Sequence, residues 1–333
     1  MRLPHLHHQH RLGALLVAAL LTLGAVTPVS ARMLPAATVH NKVTLPDTSI
    51  DGPALDSTGN ETVLAWTGTD AAHHLNVETS TDGLHYGHKL TLNETSPFRP
   101  DVAVTPVQAG FVVVLAWTGS DPNHLLNVLF DVYGSQSSPK KLTLRNENSF
   151  TSPALLFGPC FCLAWAGTDS HHSLNVLQLS VTSSAIVPGT KTTLTQDSSD
   201  AGPHLRRGSA TVMDLLWSAR GSQQLRIASA THADALQPGS PVDRQTSAAA
   251  PDAFVLGPFL GLGSQQWIGW TGTDPAHHLN LFPFAGNPAP TTTTLADTAI
   301  GGPALSFNTA LNENLLAWTG TDAAHHLNVL GFV

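Results

Sequence analysis

The fourteen residues LAWTGTDAAHHLNV occupy positions 64–77 and recur unchanged at 316–329. Asp70, His73 and His74 are of types that ligate metals or move protons. A zinc site needs three or four converging ligands, and catalysis likewise needs groups that meet. The other copies within the chain decide what the motif can do. The acid recurs as Asp121, Asp169, Asp274 and Asp322, and the first imidazole as His124, His172, His277 and His325. The second imidazole survives only in His278 and His326, with Leu125 and Ser173 in its place elsewhere. Copies spread over a repeat do not converge, so the motif reads first as structure, with no catalytic group, metal or cofactor assigned. Period-two alternation places His73, Leu75 and Val77 on one face of a strand, with His74 and Asn76 on the other. The expected device is a hairpin latch made by Asp70 and His73, with Asn76, Asn127, Asn175, Asn280 and Asn328 tying neighbouring strands or blades. Asp70, His74, Asp121, Asp169, Asp274, His278, Asp322 and His326 remain the candidate ligand contacts.

The elements that carry the motif follow from its period. Trp66, Trp117, Trp165, Trp217, Trp270 and Trp318 mark six copies, with gaps of 51, 48, 52, 53 and 48 residues. A Pro-containing segment precedes each copy (GPAL, RPDVAV, SPALL, GPHL, APDAFV, GPAL), and a Thr/Ser/Asp-rich run precedes that. Each unit reads as four short β-runs, in the first copy around Ala54–Leu55, Thr62–Thr67, Leu75–Ser80 and Lys89–Leu92. The fold expected is all-β, a six-bladed β-propeller over 39–333 with four-stranded antiparallel blades. The Trp side chains are expected to pack between blades. The N-terminal run, 42–49, is expected to complete the last blade and close the ring, leaving no gap between first and last blades.

Residues 1–31 read as a signal peptide. Arg2 and Arg11 precede an apolar run from Leu12 to Val26, and Val29-Ser30-Ala31 is a small-residue cleavage site after Ala31. Residues 32–38 form a linker. No further stretch is apolar and long enough to span a bilayer. The net charge of −8 argues against nucleic acid and anionic membranes as partners. Extracellular glycans or proteins are the expected partners, of a monomer. Cys160 and Cys162 are the only cysteines. Their i, i+2 spacing lies near the limit of what a disulfide bridges, so two buried thiols are expected.

The fourth copy, LLWSARGSQQLRIA, loses the Asp/His pattern and gains arginine. Arg206, Arg220 and Arg226 are candidates for an anion site, since guanidinium forks suit carboxylates, and drift in a tolerant turn is the plainer account. After the third strand of the first copy, Ser80-Thr81-Asp82-Gly83-Leu84-His85-Tyr86 resembles the Asp-box turn of sialidase-like propellers, with its glycine one place early. The resemblance implies a propeller with this turn opposite the active face. A sialidase also implies an arginine triad, a Tyr/Glu pair and an acid/base Asp, yet Tyr86 and Tyr133, the only tyrosines, both fall near turns of the wrong face. The expected function is lectin-like binding of glycans through repeated sites, on the rim shared by Asp70 and its copies with Asp47, Glu94, Glu147 and Asp297. The alternatives are a glycosidase acting on an acidic sugar and an extracellular protein scaffold.

Overall fold

Short β-branched and apolar runs, punctuated by Gly, Pro, Asn and Asp, fold as strands and tight turns throughout. The computed structural model describes residues 37–333, apart from 109, 135–137, 159, 210, 257–264 and 285–290. The expected signal peptide, and the expected linker before residue 37, lie outside the described residues. After β1 (Val39–Thr48), the first unit is β2 (Ala54–Thr58), β3 (Glu61–Thr67), β4 (His74–Ser80) and β5 (Gly87–Thr95). The second is β6 (Asp101–Val107), β7 (Gly110–Thr118), β8 (Leu125–Phe130) and β9 (Lys140–Asn148). The third is β10 (Ala154–Phe157), β11 (Phe161–Ala166), β12 (Ser173–Val181) and β13 (Ile186–Ser198). The fourth is β14 (His204–Arg207), β15 (Met213–Ser218), β16 (Gln224–Ala230) and β17 (Ser240–Thr246). Then come β18 (Asp252–Leu256), β19 (Gln265–Thr271), β20 (His278–Pro283), β21 (Thr293–Asn308), β22 (Glu313–Gly320) and β23 (His326–Phe332). One short 3₁₀ turn, Ala233–Ala235, is the sole helix among the described residues.

The arrangement is that of an all-β propeller, but six separate four-stranded blades are not what forms. Four four-stranded sheets stand as blades, and the strands of the fifth and sixth copies join in one seven-stranded sheet, β1-β23-β22-β21-β20-β19-β18. The long β21 pairs with β20 through Thr293–Thr298 and with β22 from Ala299 onward. At four of the other junctions a serine turns the chain: the hydroxyls of Ser96, Ser149, Ser199 and Ser247 donate to the carbonyls of Phe98, Thr151, Ala201 and Ala249. Ala299 has no hydroxyl, and it and Ile300 pair instead with Gly320 and Thr319. β1 is antiparallel to β23. Apart from an isolated antiparallel bridge between Ser49 and Gly68, strand pairing among the described residues is confined to these five sheets, which do not join into a closed ring, and neighbouring sheets meet mainly through side chains.

Those side chains form six apolar clusters between consecutive units, with one of the marker Trp residues in each. Trp66, for example, joins Leu55 and Leu64 to Ala304, Leu315, Leu327 and Val329 of the last unit. Burying a Trp stabilises by roughly 4–6 kcal/mol at about 25 cal/mol per Å². A lysine that sequence reading passed over extends this contact. Lys89, Lys141, Lys191 and Lys42 lie 5.0, 5.4, 5.2 and 5.2 Å from the ring centres of Trp66, Trp117, Trp165 and Trp318. Each also pairs with an acid on the outer strand of the preceding unit, Asp47, Glu94, Glu147 and Asp297 in turn. The four acids expected to line a ligand rim are therefore each matched by a cation.

Cys160 and Cys162 form a disulfide rather than two thiols, since their Cα atoms stand 5.5 Å apart at the start of β11, within bridging distance. Among the described residues no helix is long and apolar enough to cross a membrane.

Candidate functional site

The repeated turn is built by its aspartate. Asp70 accepts the backbone N–H groups of Ala72 and His74, both at 3.1 Å, and its carbonyl accepts that of His73. Asp121, Asp169, Asp274 and Asp322 do the same. His73, His124, His172, His277 and His325 all have φ between 51° and 59°, a left-handed conformation in which His is among the better tolerated residues. Their carbonyls accept a backbone N–H from the end of the outer strand, as from Ser96 to His73 and Ser49 to His325. The first imidazole thus recurs at a backbone position. It precedes β4 and does not share a strand face with Leu75, because the chain turns at His73.

The ring that meets the carboxylate is the second one. His74 Nδ1 lies 2.8 Å from Asp70 Oδ1, His278 Nδ1 2.7 Å from Asp274 Oδ1, and His326 Nδ1 2.8 Å from Asp322 Oδ1. Ser173 Oγ substitutes at 3.2 Å from Asp169. The expected Asp70–His73 latch is corrected accordingly. Slight desolvation works against ionisation, but the imidazole and the turn N–H groups hold Asp70 and Asp322 below the usual carboxylate range. Both oxygens of each Asp are already engaged, which leaves these turns poorly suited to ligate a metal. Asp70→Ala is expected to cost about 0.5–1.5 kcal/mol for its lost bonds. His74→Ala should cost less, since Leu125 fills that place without penalty to the turn; urea melts of the two variants compare them directly.

The amide of each motif Asn spans two strands. Asn76 Nδ2 donates to the His74 carbonyl and its Oδ1 accepts Thr91 Oγ1 at 2.7 Å. Asn127, Asn175, Asn280 and Asn328 repeat this with Thr143, Thr193, Thr294 and Thr44. The three arginines of the fourth unit are not brought together. Arg206 on β14 pairs with Asp214, Arg220 in the turn after β15 with Asp200, and Arg226 on β16 lies near Asp197. Each answers a different acid, so they form no common anion site.

What does converge is the set of segments linking each outer strand to the next inner one. They enclose a cavity of about 230 Å³, lined by Asp51, Phe98, Arg99, Phe150, Thr151, Ser152, Asp200, Ala201, Gly202, Ala249, Ala250 and Gly302. The segments approach so closely that a side chain on Gly52 or Gly302 would strike a backbone oxygen, of Gly302 and Ala250 respectively. Asp51 accepts the N–H groups of Gly52 at 2.7 Å and Arg99 at 3.1 Å. Asp200 lies 2.7 Å from His172 Nδ1 and 3.1 Å from Arg220 Nε. The ring of His172 is 3.8 Å from that of Phe150.

Arg99 is 4 % exposed. It reaches across to the far units, donating to the Pro303 carbonyl at 3.0 Å and to Asp252 at 3.2 Å. Around that pair stand Asp101, which is buried, and Asp56 and His204, which are half-buried. Asp56 and Asp101 accept the N–H groups of Val104 and Leu155 from the next unit, and His204 Nε2 meets the Ala253 carbonyl at 2.8 Å. These groups satisfy the otherwise unpaired inner edges of neighbouring strands. Sequence reading missed them, although RPDV, GPHL and APDA visibly depart from the GPAL of the first and last copies.

Burial pushes the carboxyls of Asp56 and Asp252 up to about 7 and that of Asp101 up to about 6. Burial also pushes His204 down to about 4. The three acids have higher affinity for protons folded than unfolded, so their contribution is complete below their unfolded values and is lost as pH rises through 6 to 7. His204 works the other way, gaining stability as pH rises toward its unfolded value. Three groups outweigh one, and the stability maximum is expected on the acid side, with the urea midpoint falling from about pH 5 to pH 8.

No protein-family profile and no curated protein sequence matches the chain. Solved structures do. A Dyadobacter fermentans protein of unknown function aligns over 90% of this chain and 99% of its own, at 13% identity and a TM-score of 0.61. The NanB sialidase of Streptococcus pneumoniae aligns over 89% of this chain and 70% of its own, at 6% identity and a TM-score of 0.60. The sialidase of Trypanosoma rangeli aligns over 90% of this chain at 7% identity and a TM-score of 0.52, and this chain spans 60% of its length. These likenesses show the fold, a sialidase-like β-propeller arrangement.

Proposed function

We propose that the protein is an exported, non-catalytic sugar-binding propeller whose ligand occupies the cavity between the connecting segments. One observation carries this: the cavity combines two aromatic rings, Phe98 and Phe150, with the carboxylates of Asp51 and Asp200 and the hydroxyls of Thr151 and Ser152. Pyranose rings present an apolar face and a fringe of hydroxyls, which such a mixed wall complements. The repeated Asp/His turns are scaffold in this reading. Ser80–Tyr86 is a degenerate Asp-box in this reading. The leader is removed after Ala31.

The non-catalytic part rests on where the acids stand. Most glycosidases use two carboxyls, one of them kept protonated near neutrality, and a sialidase uses a tyrosine beside an acid/base aspartate; neither Tyr86 nor Tyr133 lines the cavity. Asp56, Asp101 and Asp252, whose carboxyls are so raised, are not among the residues lining the cavity. Titration calorimetry with mono- and disaccharides tests the reading, with Phe150→Ala expected to abolish the heat. Silence across all sugars would sink it, and turnover of a fluorogenic sialoside would replace it with the glycosidase reading that the sialidase-like fold supports.

A further inference from the structure

We infer that the cavity selects a sugar bearing a protonated amino group and rejects a sugar carboxylate; this rests on the sugar-binding reading above. Arg99 is the sole cation in the cavity's lining, and its guanidinium is committed to Asp252 and the Pro303 carbonyl. Asp200 is the better-matched acid, with His172 Nδ1 and Arg220 Nε both against its Oδ1. Asp51 faces no cation among the described residues. Its oxygens accept only backbone and neutral groups, the N–H of Gly52 and of Arg99. Among the charged side chains of the wall, Asp51 is the one with no ion-pair partner among the described residues.

The rest of the wall fits the same ligand. Phe98 and Phe150 supply aromatic rings, whose faces attract a cation, as acid-and-aromatic cages do for ammonium groups. Ala201, Gly202, Ala249, Ala250 and Gly302 complete the lining with small side chains or none. A ligand carboxylate would meet Asp51 with no free guanidinium to receive it. A like-charge contact of that kind is a device for rejection as much as the amine contact is for binding.

Ligand-observed NMR and calorimetry on the full chain with glucosamine, N-acetylglucosamine, glucuronate and N-α-acetyl-lysine test this. Glucosamine is expected to bind at least about tenfold more tightly than the neutral or acidic sugar, a difference of about 1.4 kcal/mol. N-α-acetyl-lysine, an amine without the ring, should bind more weakly than glucosamine. Asp51→Asn should erase the preference for glucosamine over N-acetylglucosamine. Asp200→Asn, at an exposed carboxylate, should halve the preference at most. Equal binding of the three sugars, tighter binding of glucuronate, or a preference that survives in a folded Asp51→Asn protein would overturn the inference alone. Absence of binding by any sugar would overturn it together with the reading it rests on.

Discussion

Replacing Arg99 by Met is expected to lower the free energy of unfolding by about 3–5 kcal/mol at pH 7, the range found when one partner of a buried ion pair is removed. The side chain is 4 % exposed and Asp252 is 2 % exposed, so the carboxylate left behind could not turn to water. Arg99 also spans units distant in sequence, from the segment before β6 to Pro303 and to β18. Its loss removes a strut as well as a charge. Two controls isolate the charge. Adding Asp252→Asn to Arg99→Met should recover much of the loss, because the amide keeps an acceptor for the N–H groups it serves without the unpaired charge. Lowering the pH to 5 should shrink the effect of Arg99→Met, because Asp252 is already pushed up to about 7 beside the guanidinium and rises further without it. Equal urea midpoints for wild type and Arg99→Met at pH 7 would show that the pair contributes nothing to stability.

The repeat made most of the strands legible. Trp spacing and turn residues placed β2 to β4 of the first unit within a few residues, because a half-buried strand needs alternation and a tight turn needs Gly, Asn or Asp. The run expected at Lys89–Leu92 is the middle of β5 (Gly87–Thr95). Sheet boundaries were less legible. At 299 and 300 the chain runs on into the next sheet, with Ala299 opposite Gly320 and Ile300 opposite Thr319, a continuation that turn residues alone do not announce. The Asp/His pairing was misread for a related reason. Alternation holds only inside a strand, and His73 lies one residue before β4, at positive φ. The cavity was legible only as a departure from the repeat. Arg99, Asp101, His204 and Asp252 occupy places where other copies carry Gly, Ser or Ala, and a charged residue in a ring of small ones meets partners that local sequence cannot name. The arginines of the fourth unit broke the repeat as plainly, yet each found its own acid. A departure from the consensus marks a place to look, and geometry decides whether the groups meet.

Deleting β1, residues 39–48, is expected to be at least as damaging as losing Arg99. β1 lies along β23 from Val39 opposite Phe332 to Thr48 opposite His326, and among the described residues no other strand pairs with that edge. Leu45 is 6 % exposed within the cluster that holds Trp66 and Val329. Thr44 satisfies the Asn328 amide at 2.7 Å, Lys42 lies over Trp318, and His40 Nε2 is 2.7 Å from Glu313. Removing the Leu45 side chain and orphaning the Asn328 acceptor alone account for about 3–6 kcal/mol. The bare β23 would then offer a row of unpaired backbone groups to other molecules, so aggregation on heating should accompany the loss. Removing the exposed turn residues Ser183 and Ser184 instead should change the melting temperature far less, since they cover no strand edge. A synthetic peptide of residues 39–49 supplied to the truncated protein should restore much of the melting temperature, because it can rebuild the ladder and return the Ser49 N–H to the His325 carbonyl. A truncated chain that melts with the intact one, or ignores the peptide, would mean that β23 does not need this partner and that the N-terminal strand is an accessory to the fold.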